Sequence, residues 1–213
     1  NVGGQIRFRW ESFHNWNFGA GGALANDEWM LFRLRAHADV RWGKHARFFV
    51  EGLWADQWQN RKLGVRAIDV NRGDLLNMFA EFMTGIGGNS DVGLWVGRRE
   101  LQTGLQRLVS PLDWANTRRT FQGAGAWRKK GFQEIDIFVT RPVIIDADSW
   151  DEWNEDILFS GNNYKNGTMN CRTWEAYVYH LDRDATANLV DQSRFTVGGL
   201  IDGTIPNTSF DYG

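Results

Sequence analysis

Residues 30–42, MLFRLRAHADVRW, decide the fold class because two different patterns are interleaved in them. Even positions carry apolar side chains, whereas odd positions carry Arg33, Arg35, His37, Asp39 and Arg41. Side chains alternate between the two faces of a β-strand, so this segment has one apolar face and one charged face. Its length exceeds the usual strand of ~5 to 6 residues. The pattern favours a strand that crosses a bilayer, which needs ~9 to 11 residues with apolar groups outward.

The same alternation recurs in three further segments, 5–11, 46–54 and 76–82. None of them keeps an apolar stripe at spacings of three and four, so a helix is excluded. The expected outward residues are Ile6, Phe8, Trp10, Ala46, Phe48, Val50, Gly52, Trp54, Leu76, Met78, Ala80 and Phe82. A later strand alternates Ile135, Ile137 and Val139 with Glu134, Asp136, Phe138 and Thr140. Segments 172–181 and 193–201 are strand-like without a defined sidedness.

Long polar connections alternate with short turns along the chain. The long ones lie at 14–28, 57–74, 98–119, 142–156 and 182–192, and the short ones at 43–44, 84–89, 129–131, 165–167 and 203–206. An up-and-down meander places all long loops on one side, as outer-membrane barrels do. We count about ten strands, with another starting within 207–212. The sequence predicts one all-β domain over 1–213, an antiparallel up-and-down transmembrane β-barrel that continues beyond Gly213, so that the chain is a fragment.

Composition excludes several classes of protein. No stretch approaches the ~18 consecutive apolar residues of a transmembrane helix. The formal net charge of -2 gives no basic field for nucleic acid. Cys171 stands alone, and His14, His37, His45 and His180 lack metal-ligand spacing. Since there is also no phosphate-binding loop or nucleophile elbow, we expect no metal, no cofactor and no catalysis.

Arginine dominates the basic residues: of 24 Lys and Arg, 19 are arginines. Arginine suits bidentate recognition of carboxylates and tolerates partly dehydrated sites. One reading is an anion ladder along the barrel wall, formed by Arg7, Arg9, Arg33, Arg35 and Arg47 with Glu51 and Glu81 among them. The other reading is structural pairing with the 26 Asp and Glu residues. On the inner face both hold at once. Trp10, Trp42 and Trp54 end alternating runs where an interfacial girdle belongs.

Residues 97–121 read GRRELQTGLQRLVSPLDWANTRRTF. They resemble the alginate-export family of outer-membrane barrels, whose pattern is approximately G-R-x-E-L-x-x-G-x-Q-R-L, then D-W-x-N and R-x-F. The matching residues are Gly97, Arg98, Glu100, Leu101, Gly104, Gln106, Arg107, Leu108, Asp113, Trp114, Asn116, Arg119 and Phe121. The likeness runs from about residue 4 to 142. It implies an arginine-rich, acid-containing pore for anionic polysaccharide.

The segment 98–119 follows an upward strand and is too long for a hairpin, so it folds over the mouth or into the lumen. There Arg98, Arg99, Arg107, Arg118 and Arg119 line a constriction, with Glu100 and Asp113 as counter-charges. Alternatively, Arg98, Glu100 and Arg107 form a network that locks the loop to the wall. The acidic loop 146–156 is a solvated loop or holds calcium or sugar, although it lacks ordered calcium-ligand spacing.

The function we expect is an outer-membrane channel of a diderm bacterium for passive passage of small anions or acidic polysaccharide. Its partners are membrane lipid and the anionic solute, with envelope proteins as further candidates. One rival is a soluble, aromatic-rich β-sandwich that binds carbohydrate or hydrolyses glycosides with two carboxylates. A second rival is a structural barrel in an envelope assembly.

Overall fold

The computed structural model describes residues 1–15, 26–59, 62, 64–87, 89–167, 172–186, 189–205, 208 and 210–212. Within them the chain forms twelve β-strands: β1 Val2–Phe13, β2 Asp27–Trp42, β3 Ala46–Trp58, β4 Asn71–Ile86, β5 Ser90–Arg99, β6 Phe121–Lys130, β7 Gln133–Ile144, β8 Glu152–Trp153, β9 Ile157–Gly167, β10 Arg172–Arg183, β11 Gln192–Thr204 and β12 Asp211–Tyr212. No helix in these residues is long and apolar enough to span a membrane.

The strands form one antiparallel meander in which almost every strand pairs with the next along the chain. The order is β1-β2-β3-β4-β5-β6-β7-β9-β10-β11-β12, with β8 paired to β7 at its end. This confirms the predicted all-β, up-and-down architecture. In the described residues the sheet does not close, since β1 pairs with β2 and β12 with β11. The long connections join the strands at one end of the sheet and the short turns join them at the opposite end, as expected. Continuation beyond Gly213 stays a prediction.

The strands are longer than their alternating segments indicate. β2 and β4 each have 16 residues, whereas alternation marked only 30–42 and 76–82. Residues 84–86, expected in a turn, extend β4 and pair with β5. β8, inside the segment expected to be a loop, is two residues long and pairs with Val143 and Ile144. Two residues are too few to show an alternation of apolar and polar side chains, so the sequence does not predict this strand.

The outer face of the sheet is the face that carries the predicted outward residues. Phe8 is 66% exposed, Leu34 40%, Val40 50% and Phe82 61%, so no layer of the described chain covers this face. Trp10, Trp42 and Trp54 are also exposed, as expected for side chains outside the core. The opposite, inner face carries Arg33, Glu51 and Glu81, and these side chains are buried. Arg33 lies beneath residues 113–115, whereas Glu51 and Glu81 are buried among neighbouring side chains of the inner face itself.

Leu76 is the exception, and its outward assignment is wrong. The register between β3 and β4 shifts at Glu51/Gly52, which is a β-bulge. An extra residue on one strand breaks the period of two. Leu76 consequently turns inward and is buried with Leu53 and Ala55.

A second core lies on the inner face between β5 and β10. It consists of Trp95, Phe121, Phe138 and Tyr179, packed against Leu101 and Val109 from the connection after β5. On the outer face of β10, Trp174 and Val178 are exposed. Both faces of β10 are thus apolar, which is why its sequence shows no sidedness.

Candidate functional site

The connection between β5 and β6, residues 100–120, folds back along the inner face and is here termed the inner segment. Arg7 on β1 donates from Nη1 to the carbonyl oxygen of Asp113 at 2.8 Å and from Nη2 to that of Ala115 at 3.0 Å. Arg33 on β2 donates to the same Ala115 oxygen at 3.1 Å. Side chains from β1 and β2 therefore bind the backbone of residues 113–115 of the inner segment.

Asn116 and Thr117 are side chains of the inner segment that donate hydrogen bonds to backbone oxygens elsewhere in the chain. The Asn116 Nδ2 group donates to the carbonyl oxygens of Phe32 at 2.8 Å and Asp69 at 2.9 Å. The Thr117 hydroxyl donates to the carbonyl oxygen of Ile68 at 3.0 Å. Both side chains are buried. Because buried polar groups are costly when unpaired, these bonds make the docked position specific.

Charge pairing completes the docking. Arg118 pairs with both Glu100 and Asp113, with its Nη2 atom 2.7 Å from Glu100 Oε2. Arg33 Nη2 lies 3.1 Å from Asp113 Oδ1. Arg9 donates to the carbonyl oxygen of Trp114 and pairs with Glu11. The carboxylates and backbone oxygens of the segment offset the repulsion among the clustered guanidinium groups.

The remaining wall residues form two ion-paired groups. Arg35 makes two hydrogen bonds to Glu51, at 3.1 and 2.9 Å, and Asn77 donates to the same carboxylate at 2.8 Å. Arg47 lies 2.8 Å from Asp39 and 3.5 Å from Glu81. The structure thus gives the predicted ladder residues carboxylate partners side by side along the wall.

Three of the predicted residues lie apart from this network. Arg98, at the end of β5, bonds to Asp74 at 2.8 Å and to the carbonyl oxygen of Asp151 at 2.7 Å. Arg107 lines a small cleft of about 100 Å³ that also contains Glu175 and Tyr177. Arg119 is exposed at the end of the inner segment. Arg98 therefore holds the connection between β7 and β9 rather than the inner segment.

Arg99 differs from its neighbour in both face and environment. It lies on the inner face, with its guanidinium carbon 4.9 Å from the ring centroids of Phe79 and of Trp95. It borders a cleft of about 430 Å³ between the wall and the inner segment. Cation–π contacts of this kind stabilise a charge without using its N–H donors.

Asp151 is a titratable group that sequence reasoning did not select. It is buried beside Asp74, accepts from Asn71 Nδ2 at 2.7 Å and accepts from the backbone N–H of Asp146 at 2.9 Å. Burial, together with the nearby Asp74 carboxylate, raises the pKa of Asp151 to about 7. Its carboxyl group holds residues 146–151 of the acidic loop against β4.

Other site residues also escaped the sequence analysis. Asn116 and Thr117 are the polar anchors of the inner segment, and Tyr179 donates its hydroxyl to Thr103 Oγ1 at 2.8 Å. Asn116 belongs to the D-W-x-N motif, so the motif itself was the available signal. Among the described residues no group of three or more His, Cys, Asp or Glu is placed to hold a metal ion. In the acidic loop, Asp146 instead accepts from the backbone N–H groups of Asp148 and Ser149.

An antiparallel meander with an exposed apolar face, a basic opposite face and a long connection docked on it defines the class of outer-membrane β-barrels. The family model described as alginate export matches residues 1–213, the whole chain. The chain belongs to the alginate export family, whose members are β-barrel channels that export polysaccharide across the outer membrane. Neither the curated proteins nor the solved structures compared with the chain gave a match.

Proposed function

We propose that this protein is an outer-membrane channel of a diderm bacterium through which acidic polysaccharide, or smaller anionic solutes, pass passively along the inner face. Lipid contacts the outer face, and no chemical step takes place. The solute moves past arginine side chains whose charge is only partly neutralised.

The division between the two faces carries the proposal. Phe8, Leu34, Phe82 and Leu94 are among many large apolar side chains that are at least 40% exposed on one face of the sheet. Continuous exposed apolar surfaces of this extent are unusual in water-soluble proteins. Lipid tails would cover them at a gain of ~25 cal/mol per Å² of apolar area removed from water.

The inner face supports the choice of an anionic solute. Arginines on β1, β2 and β3 are interleaved with Asp39, Glu51 and Glu81 rather than forming an unbroken positive surface. Rings of charge set the selectivity of a pore, and a solute passes only if it binds weakly enough to leave. Partial neutralisation meets that condition.

The experiment is reversal-potential measurement in planar bilayers across a salt gradient. We expect the wild-type channel to prefer anions and Arg107→Glu to shift the preference towards cations, because Arg107 is exposed beside the inner face. Lys44→Glu, the same charge change in the tight turn between β2 and β3, is the matched control and leaves selectivity unchanged. A wild-type channel without anion preference contradicts the proposal.

Extraction behaviour separates a barrel from the soluble carbohydrate-binding rival. A barrel requires detergent for extraction from membranes and migrates differently on a gel before and after heating. Quantitative recovery in buffer without detergent would favour the soluble protein.

A further inference from the structure

A shallow groove runs along β6 on the outer face of the sheet. Leu94 on β5 and Ile137 on β7 lie directly opposite Ala126, one on each side. Both larger side chains are exposed, Leu94 at 63% and Ile137 at 48%. Because the methyl group of Ala126 lies between two long aliphatic side chains, the surface is depressed above it. The depression has a volume of about 540 Å³, within the ~300 to 1,000 Å³ typical of small-molecule sites.

The groove continues along the same strand over Ala124. Val96 and Val139 lie opposite this second alanine, where a further depression has a volume of about 790 Å³. Side chains two residues apart on a strand share a face, so the two alanines form one apolar floor. From Arg128 to Ala124 the strand rises ~14 Å, at ~3.4 Å per residue. That length is close to half of the ~30 Å hydrocarbon core of a bilayer, which is the depth that one acyl chain occupies.

Two basic residues, Arg128 and Lys130, lie at the end of the groove near the short turns. Both occupy outward positions of β6 and are exposed. The Arg128 Nε atom donates to Ser90 Oγ at 3.0 Å, and Ser90 is buried. By contrast, Lys129 on the inner face lies 2.6 Å from Glu134. Neither outward cation has an ion pair in the part of the chain that the structure describes, so the Arg128 Nη groups and the Lys130 ammonium are available to a ligand.

The surroundings of these two cations on the outer face are uncharged. The outward residues that flank them on β4, β5, β7 and β9 are Thr84, Val92, Gln133, Ile135, Tyr164 and Asn166. The nearby carboxylates lie on the inner face, where Glu81 accepts from Trp127 and Glu134 pairs with Lys129. The described outer face therefore carries a positive charge at this point without a carboxylate beside it. Such a site attracts anions and repels other cations.

We infer that the groove is a binding site for an anionic phospholipid in the leaflet that the short turns face. The Arg128 guanidinium and the Lys130 ammonium bind the headgroup phosphate, while an acyl chain lies over Ala126 and Ala124. A zwitterionic phospholipid adds an ammonium group, which the two cations repel, so the site prefers a lipid of net negative charge. The inference rests on the proposed function only for the placement of the outer face in a bilayer.

Native mass spectrometry of the detergent-purified protein measures the binding of single lipid molecules. The probes are phosphatidylglycerol and phosphatidylcholine with the same acyl chains. We expect phosphatidylglycerol to bind about 10-fold more tightly and Arg128→Gln to lower its affinity about 5-fold, the effect of one basic residue near a membrane surface. Ala126→Phe fills the groove and weakens both lipids without changing their ratio. Excess inorganic phosphate does not displace the lipid, because it has no acyl chain.

Lys129→Gln is the matched control, because Lys129 is the next residue of β6 but faces inward towards Glu134. It should leave the preference between the two lipids unchanged. Heat-dependent gel mobility verifies that each variant is folded, and Lys130→Gln provides the test if Arg128→Gln is not. Equal binding of the two lipids to wild type, displacement by inorganic phosphate, or an unchanged preference in the folded cation variants overturns the inference. Detergent dependence and anion preference are measured separately, so loss of the lipid preference leaves the channel function intact.

Discussion

The side chain of Asn116 donates a hydrogen bond to the backbone oxygen of Phe32, across 84 positions of sequence, at 2.8 Å. The same amide reaches the oxygens of Asp56 and Asp69. One fully buried side chain thus joins the inner segment to β2, to β3 and to the connection before β4. It is the centre of the docking described above.

Replacing Asn116 with alanine removes the three hydrogen bonds that its buried side-chain amide donates. We expect Asn116→Ala to lower the free energy of unfolding by about 1 to 3 kcal/mol. Urea titration in detergent micelles, followed by tryptophan fluorescence, measures the change. Gln102→Ala, at an exposed position of the same segment, is the control and should cost less than about 0.5 kcal/mol. Equal effects of the two substitutions would show that Asn116 does not anchor the segment.

Gly97 occupies a backbone conformation that other residues adopt at a cost. Its φ is 129°, and an added Cβ would lie 2.3 Å from the carbonyl oxygen of Met78. That atom is backbone and cannot rotate away. We expect Gly97→Ala to destabilise the protein by at least about 1 to 3 kcal/mol, seen as a lower temperature for the heat-dependent gel shift. Gly87→Asn, in an open turn with positive φ, should leave that temperature unchanged. A normal shift temperature for Gly97→Ala would falsify this account.

The docking of the acidic loop depends on pH through Asp151. The pKa of Asp151 is raised to about 7 when the loop is docked, chiefly by burial. The neutral carboxyl is therefore favoured in the docked state. Docking is strongest below the ordinary aspartate pKa of ~4 and weakens as pH rises from there to about 7. The hydrogen bonds from the Asp146 backbone N–H and from Asn71 favour the charged form and limit the loss, while Asp74 opposes that form.

Hydrogen–deuterium exchange at residues 145–156, corrected for intrinsic rates, measures this effect. We expect faster corrected exchange at pH 8 than at pH 5 in wild type. Asp151→Asn should remove the difference, because asparagine cannot ionise. Asp148→Asn, in the same loop at an exposed carboxylate, keeps it. Corrected exchange that is the same at both pH values in wild type would refute the role of Asp151.

The outer face is sensitive to charge only if it lies in hydrocarbon. Leu94 is 63% exposed in the middle of β5, so lysine there would be tolerated in water. In a bilayer we expect Leu94→Lys to lower the free energy of unfolding by about 2 to 4 kcal/mol. Unfolding in phospholipid vesicles provides the measurement. Leu105→Lys makes the same change at a leucine of the inner segment that is 48% exposed, and it should have little effect. Similar small losses for both would argue against a lipid-facing surface.

Sequence predicted the faces of β1 to β3 because each has one apolar and one polar side. Leu76 was predicted to face outward, and this was wrong because a β-bulge shifts the alternation of side chains between the faces. The hydropathy of the sequence does not reveal such a shift. The faces of β10 could not be assigned, since Tyr179 packs on the inner segment while Val178 faces outward. A sequence shows which face of a strand points inward only where the inner and outer surroundings of that strand differ in polarity.

The candidate site was predicted as a set of charges but not as a set of contacts. Arg98 and Arg99 are adjacent in sequence, yet one bonds to Asp74 and the other stacks on Trp95. Arg33 was expected to face the solute, and the structure buries it completely beneath Ala115 and Asp113. Such outcomes depend on where the inner segment docks, and its bonds to the wall and to the connection before β4 join residues 47 to 109 positions apart.

The chain order of these partners bears on how the protein acquires its structure. Each backbone oxygen that accepts a hydrogen bond from Asn116 belongs to a residue that precedes Asn116 in the sequence. One side-chain amide can bond to the oxygens of Phe32, Asp56 and Asp69 together only when β2 and β3 already lie side by side. Docking of the inner segment therefore follows the pairing of these two strands.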